Sequence, residues 1–281
     1  MNPLVTPEWL ASRLNDPSIV VLDATLPPVG VTPPVDTRGS YVSKHIPGAV
    51  FFDINELSDR TTSLPHMLPT PDDFSRNMLA LGVDDHSTII IYEQEGVFSA
   101  PRAWWMLRTF GAQQVYILDG GLQAWVAADL PTASGMVQRS AANFHASLNR
   151  VAVKDFTHIQ RGIAERGQIL DARSAGRFSG TAPEPRPGIE SGHMPGAINI
   201  PFTELAEEGR MKSADQLREV FQSKGVDVQQ PITTTCGSGV TAAVIALGLE
   251  IVGAEKVSLY DGSWAEYAQR PEAVIEKSGS I

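Results

Sequence analysis

The sequence repeats itself once, and this repeat constrains the fold more than any other feature. Asp23 and His45 are 22 residues apart, and Asp171 and His193 show the same spacing. Each aspartate ends an apolar run, and each histidine opens nearly the same phrase, HIPGAVFFDINEL in one half and HMPGAINIPFTEL in the other. Two halves that stay in step over such a length predict two copies of one domain.

Each copy alternates short β-branched runs with helical stretches, which is typical of a parallel sheet covered by helices. A length of 281 residues accommodates two domains of ordinary size. We therefore predict an α/β protein with two tandem domains, each a mainly parallel sheet flanked by helices. The first domain is predicted at residues 1–133, a linker without sustained periodicity at 134–150, and the second domain at 151–281.

Composition excludes several classes of partner and site. The formal net charge of -10 and the absence of a Lys or Arg run argue against nucleic acid binding. No apolar stretch is long enough for a membrane helix, and the first residues do not resemble a signal peptide, so we expect a cytoplasmic protein without membrane contact. One cysteine excludes an internal disulfide and a multi-thiolate zinc site. We expect no metal and no organic cofactor.

The two copies differ at two places that bear on function. The first copy reads EQEGVFSA where the second reads CGSGVTAA, so only the second contains a thiol, Cys236. The first copy also has about five extra residues around TTSLPHMLP, which include His66. His45 and His193 occur in both copies, which favours a structural role for them. We predict that the second domain is catalytic and that the first is not.

Cys236 lies between the β-rich run ITTT and a glycine-rich turn that leads into an apolar helix. Ligands of parallel α/β sheets bind at this carboxyl edge of the strands. Glycines allow backbone N–H groups to point inward, and the following helix adds the positive end of its dipole, so both favour a thiolate and a bound anion. Although a lone cysteine is usually a small buried apolar residue, this context predicts a nucleophile.

The phrases CGSGVTA, SAPRAWWMLRTFG and YDGSWAEY, with the doubled H-hydrophobic-PGA motif, resemble the rhodanese family over essentially the whole chain. The resemblance is to the branch of the family that uses 3-mercaptopyruvate. It implies that substrate binds in a cleft between tandem rhodanese domains. It also implies that Cys236 takes sulfur from 3-mercaptopyruvate as a persulfide, releases pyruvate, and passes the sulfur to a thiol, cyanide or protein acceptor such as thioredoxin.

The resemblance also implies which residues bind the substrate. Arg177 and Arg186 match the family's mercaptopyruvate-binding positions, and guanidinium groups suit a carboxylate because of their paired donors. The loop after the cysteine is expected to add backbone donors that stabilise the persulfide. The other predicted substrate-binding residues are Gly237, Gly239, Val240 and Thr241.

Proton transfer in this family is attributed to a serine, a histidine and an acidic residue. Ser238 and His66 match the first two positions, and we predict that they are catalytic together with Cys236. The position of the acidic residue holds Asn55, so the sequence departs from the pattern there. Asp53 and Asp59 lie nearby in the chain, and the sequence does not choose between them.

Two alternative functions remain at this point. A thiosulfate:cyanide sulfurtransferase would use the same cysteine with another donor. Thiosulfate-preferring relatives carry basic residues after the cysteine, whereas Gly237 and Ser238 are uncharged here, which favours mercaptopyruvate. A non-enzymatic persulfide relay module would also use the thiol, and turnover with a small acceptor would separate it from an enzyme.

Overall fold

A computed structural model of the chain describes residues 2–278 and contains two compact units. Each unit is assembled from three segments of the chain. Unit 1 comprises the chain up to Arg60, Leu68–Asn149 and Glu208–Met211. Unit 2 comprises Thr61–Met67, Arg150–Glu207 and the chain from Lys212 onward. His66 therefore belongs to unit 2, although its sequence position is in the first repeat.

The elements of the first repeat alternate between strands and helices. In chain order they are β1 (Leu4–Val5), α1 (Pro7–Ala11), β2 (Ile19–Asp23), α2 (Thr37–Ser43), β3 (Val50–Phe51), α3 (Ile54–Leu57), α4 (Pro71–Ala80), β4 (Thr88–Tyr92), α5 (Ala100–Thr109), β5 (Gln114–Leu118) and α6 (Gly121–Ala127). The strands form one parallel sheet in the order β1-β5-β4-β2-β3.

The second repeat follows the same plan. Its elements are β6 (Val153–Lys154), α7 (Phe156–Ala164), β7 (Gln168–Asp171), α8 (Ala175–Ser179), β8 (Ile198–Asn199), β9 (Ala206–Glu207), β10 (Arg210–Met211), α9 (Ala214–Ser223), β11 (Ile232–Thr235), α10 (Ala242–Val252), β12 (Val257–Tyr260) and α11 (Ser263–Tyr267). Strands β6-β12-β11-β7-β8 form a second parallel sheet in that order. The predicted α/β fold class, with a repeated parallel sheet flanked by helices, is confirmed.

Strand register shows which residues of the two repeats correspond. In unit 1, Asp23 at the end of β2 pairs with Tyr92 at the end of β4. In unit 2, Asp171 at the end of β7 pairs with Thr235 at the end of β11. Glu93 is the residue directly after β4, and Cys236 is the residue directly after β11. These two residues therefore occupy equivalent positions.

The helix that follows Cys236 is buried along most of its length. All residues of α10 from Ala242 to Leu249 are buried, which explains why the sequence there is apolar on every side. The helix ends at Gly253, which adopts a left-handed conformation with φ of 88°. On the part of unit 2 near α7 and α11, the core is aromatic and aliphatic: Phe156, Ile159, Ile169, Met194, Tyr260, Trp264 and Tyr267. The cysteine loop therefore starts and ends on rigid, buried elements.

Residues 134–149 form neither helix nor strand. They pack on unit 1, where Ala142 N donates to Leu79 O and Ser147 N donates to Phe110 O. Within residues 2–278, no helix is both long and apolar enough to cross a membrane.

Candidate active site

Cys236 lies at the carboxyl end of β11, and only 2% of its surface is exposed. Its backbone N–H donates to Ser263 Oγ at 3.3 Å. Its carbonyl oxygen accepts from Trp264 N, and the carbonyl oxygen of Gly237 accepts from Ala265 N, both at 2.9 Å. These bonds connect the start of the loop to the first turn of α11. The position of the sulfur atom is therefore set by the sheet and by a helix terminus rather than by the loop alone.

The loop from Gly237 to Thr241 is compact and mostly buried. Gly239 adopts φ of 78°, a left-handed conformation that favours glycine. Ser238, Val240 and Thr241 are buried, with Thr241 at the start of α10. The predicted loop residues are thus brought together between the end of β11 and the N-terminus of α10, where the helix dipole favours a bound anion.

His66 lies beside the cysteine loop. Its Nδ1 is 3.0 Å from Ser238 Oγ, and both residues are buried. His66 has φ of 61°, which is uncommon for a residue other than glycine and costs of order 1 kcal/mol. The segment Thr61–Met67, which contains His66, belongs to unit 2. The pair can relay a proton between the imidazole and the space next to the thiol.

Asn55 and its acidic neighbour Asp53 have different surroundings. Asn55 is exposed on α3. Asp53 caps this helix by accepting from the backbone N–H groups of Asn55 and Glu56, and it pairs with Arg38 at 3.3 Å. Asp53 therefore has a helix-capping role, because its carboxylate satisfies N–H groups that have no partner within the helix.

Arg177 and Arg186 both reach the residue next to the thiol. A Cβ atom placed on Gly237 would lie 2.7 Å from Arg177 Nη2 and 3.7 Å from Arg186 Nη1. Burial lowers the pKa of Arg186 below its ordinary value, an effect that Cys236 opposes and the like charge of Arg177 reinforces. The uncharged loop sequence is therefore flanked by two guanidinium groups, and the surroundings of Cys236 favour an anion.

A buried network of ion pairs lies behind Arg177, and sequence reasoning missed it. Arg173 is fully buried and pairs with Asp171 at 2.6 Å and with Glu184 at 2.8 Å. Glu184 also pairs with Arg177 at 2.5 Å. The guanidinium group of Arg173 lies 4.1 Å from the ring centre of Trp264. The sequence signal that could have indicated this network is Glu184, a carboxylate two residues before Arg186 in the phrase TAPEPRPG.

The repeated histidines form isolated β-bridges, each just before a Pro-Gly turn. The backbone of His45 pairs with Ala133, and that of His193 pairs with Glu276. Their Nδ1 atoms lie 2.9 Å and 2.8 Å from main-chain carbonyl oxygens. These contacts agree with the structural role predicted for the motif.

Comparisons with known proteins agree with this geometry. The rhodanese-like domain family matches residues 6–128 and 157–270. The 3-mercaptopyruvate sulfurtransferase of Escherichia coli K12 is 45% identical over 273 residues, which cover 96% of each chain. The human enzyme of the same name is 44% identical over 98% of this chain and 95% of its own. Rat thiosulfate sulfurtransferase is 38% identical over 99% of this chain and 96% of its own.

A solved structure extends the comparison to three dimensions. The crystal structure of SseA from Escherichia coli, described as a 3-mercaptopyruvate sulfotransferase with the rhodanese fold, matches with a TM-score of 0.87 and 43% identity. The match covers 95% of this chain and all of SseA. Both repeats match the domain family, and relatives above the level of 40% identity align along nearly the whole chain. The chain therefore belongs to the rhodanese family, as a tandem pair of rhodanese domains.

Proposed function

We propose that this protein is a 3-mercaptopyruvate sulfurtransferase that carries sulfur as a persulfide on Cys236. The observation that carries the proposal is the placement of the Arg177 and Arg186 guanidinium groups within 4 Å of the Cβ position of Gly237, the residue after Cys236. A carboxylate donor that binds these two groups would bring its sulfur towards Cys236. The curated relatives named above, from Escherichia coli and human, carry the same activity in their names.

The first half-reaction transfers sulfur from the donor to the enzyme. The Cys236 thiolate attacks the sulfur of 3-mercaptopyruvate, a new S–S bond forms, and the C–S bond of the donor breaks. The bonding electrons leave with carbon as the enolate of pyruvate. The proton of the donor thiol ends on that carbon, so a persulfide anion and pyruvate result. His66 and Ser238, 3.0 Å apart, are suited to move this proton.

The second half-reaction regenerates the thiolate. An acceptor thiolate or cyanide attacks the outer sulfur, the S–S bond breaks, and its electrons return to the Cys236 sulfur. A small thiol, cyanide or a protein thiol such as thioredoxin can serve as acceptor in this chemistry. Thioredoxin as the acceptor and a cytoplasmic location stay predictions.

Binding of the persulfide is assigned to the loop. Gly237, Gly239, Val240 and Thr241 are the residues proposed to bind it, because backbone N–H groups aimed at an anion stabilise it. The N-terminus of α10 adds a positive partial charge at the same place. Arg177 and Arg186 hold the donor carboxylate and keto oxygen.

Thiosulfate is the competing donor, because rat thiosulfate sulfurtransferase is also similar along nearly the whole chain. The loop sequence favours mercaptopyruvate, since Gly237 carries no basic side chain and Arg177 fills the space that one would need. Thiosulfate has no thiol proton, so it gives the His66–Ser238 pair no substrate proton to remove.

The test is steady-state sulfur transfer to cyanide from both donors in parallel, with kcat/KM compared between them. We expect 3-mercaptopyruvate to be preferred at least about tenfold. A preference for thiosulfate would replace the proposed donor. Absence of turnover with either donor, while Cys236 still becomes a persulfide by mass spectrometry, would support the relay module instead.

A further inference from the structure

The two arginines beside Cys236 differ in how they are held. Arg177 donates to Glu184 from Nε at 3.1 Å and from Nη2 at 2.5 Å, a two-pronged ion pair. Within residues 2–278, the structure shows no hydrogen bond or ion pair for the guanidinium group of Arg186. One guanidinium group is therefore fixed before substrate binds, and the other keeps its donors for a ligand.

Glu184 is itself held from behind. Its side chain is only 3% exposed, and it accepts from Nη1 of the buried Arg173 at 2.8 Å. Arg173 donates from Nη2 to Asp171 at 2.6 Å and to Gly192 O at 2.7 Å. Asp171 ends strand β7. A continuous series of charge-assisted hydrogen bonds thus runs from the sheet to Arg177, and such bonds are short and directional.

We propose that Glu184 is a positioning residue, which holds Arg177 over Gly237 and leaves Arg186 as the arginine whose charge is available to the carboxylate of the donor. This inference rests on the proposed function and adds a division of roles within its substrate site. Arg177 defines where the donor lies, and Arg186 supplies most of the attraction.

The charges of the network support this division. Asp171 and Glu184 balance Arg173 and Arg177, so these four side chains together carry no net charge. Arg186 is then the cation beside Cys236 that this count leaves over. It is half-buried, and Glu184 attracts it without an ion pair. A substrate carboxylate would replace water around this group and lower the cost of its burial.

The orientation of Arg177 also depends on Glu184. The guanidinium group is a flexible side-chain end, but it lies within 2.7 Å of the position that a Cβ on Gly237 would occupy. Without a fixed partner it could rotate away from the loop, and a loosely held group binds a ligand less well because binding must then order it. Glu184→Gln keeps the size of the side chain but turns an amide NH₂ towards arginine donors.

The experiment compares kcat and KM for 3-mercaptopyruvate in wild type, Glu184→Gln, Arg177→Ala and the double variant. We expect Glu184→Gln to raise KM roughly tenfold with kcat within about twofold, because ground-state and transition-state binding are lost together. In the Arg177→Ala background the same substitution should change KM less than about twofold. Glu190→Gln is the matched control, because Glu190 lies on the same segment and pairs with Lys277 at the surface.

A purely structural role for Glu184 predicts different results. In that case Glu184→Gln would lower kcat for every donor, including mercaptoacetone, which has the thiol and keto group but no carboxylate. The effect of the substitution would also persist in the Arg177→Ala background. Either result overturns the inference, as does a fall in KM, which would show that Glu184 weakens the attraction of Arg177 instead of orienting it.

Binding separates this inference from the proposed activity. Calorimetric titration of 3-mercaptopyruvate into Cys236→Ser protein, with and without Glu184→Gln, requires no turnover. If Glu184→Gln weakens binding to the Cys236→Ser protein roughly tenfold, as measured by Kd, the positioning role is supported even if the wild type transfers no sulfur from this donor. An unchanged Kd overturns the role even if the wild type is fully active.

Discussion

The loops 93–100 and 236–243 are equivalent in the two repeats and equal in length, yet one begins with a carboxyl group and the other with a thiol. In unit 1, Glu93 is 3% exposed and its carboxylate accepts from the backbone N–H groups of Phe98, Ser99 and Ala100 and from the Ser99 hydroxyl. In unit 2 the equivalent residue is Cys236, whose side chain is shorter. The first loop therefore encloses a carboxyl group of its own chain. In the second loop the N–H of Ala243, the equivalent of Ala100, donates to Val240 O instead.

The strand-end aspartates show the same contrast. In unit 1, Asp23 accepts from Thr25 and from Gln94 Nε2, so it holds the loop itself. In unit 2, Asp171 accepts from Arg173, which leads through Glu184 to Arg177. The equivalent carboxylate thus holds a loop in one copy and begins a series of ion pairs in the other.

The largest effect is expected at the position where the loops differ most. Cys236→Ser should lower sulfur transfer by at least about 10³-fold, because the hydroxyl is a far weaker nucleophile towards sulfur. Adding Glu93→Cys to this variant should not restore turnover, since unit 1 lacks the arginine network. Cyanide-dependent assays of both variants check this. Activity in the double variant would show that a thiol in the rhodanese loop suffices.

Glu93 should make the stability of the protein depend on pH. Burial raises its pKa from 4.5 to about 7, against the opposing effect of the four hydrogen bonds. The folded state then binds its proton more tightly than the unfolded state, so this contribution to stability is complete below pH 4.5 and is lost as pH rises through about 7. The loss should approach about 3 kcal/mol.

Urea unfolding between pH 5 and 9 measures this effect. Glu93→Gln should remove that part of the pH dependence, although its amide NH₂ faces backbone donors and should lower stability at every pH. Glu95→Gln, two residues away and exposed, is the control and should retain the wild-type slope. An unchanged slope in Glu93→Gln would assign the dependence to another group.

His66 lies beside the loop of unit 2, where it contacts Ser238. Its removal should affect transfer from 3-mercaptopyruvate far more than transfer from thiosulfate. His66→Asn should lower kcat for 3-mercaptopyruvate by roughly thirtyfold, since proton transfer is lost, and should change thiosulfate turnover less than about threefold. Asparagine tolerates the φ of 61° at this position. Equal losses for the two donors would indicate that His66 shapes the loop instead of moving a proton.

The smallest effect is expected from one added methyl group. Gly237→Ala places a Cβ 2.7 Å from Arg177 Nη2, so it should displace this group and raise KM for 3-mercaptopyruvate about tenfold with little change in kcat. Gly162→Ala in α7, where a Cβ meets its nearest neighbour at 3.9 Å, is the matched control. An unchanged KM in Gly237→Ala would mean that Arg177 does not contact the donor.

Much of the fold and part of the site could be predicted from the sequence. The repeated spacing from Asp23 to His45 and from Asp171 to His193 indicated two equivalent α/β domains, and the family and the fold class are confirmed. The context of Cys236 placed it at the end of a strand, as observed. These features could be predicted because local periodicity and glycine-rich turns depend on residues that are close together in the sequence.

Tertiary structure decided the contacts that the chain makes across long separations. His66 lies 172 positions before Ser238, and only folding places His66 Nδ1 3.0 Å from Ser238 Oγ. The burial of Glu184 between Arg173 and Arg177 depends on the path of the segment after β7. Sequence by itself determined the repeat, the fold class and the place of Cys236 after a strand, because these depend on neighbouring residues. The partners of each charge were decided by packing, because a side chain's neighbours in space are set by the whole fold.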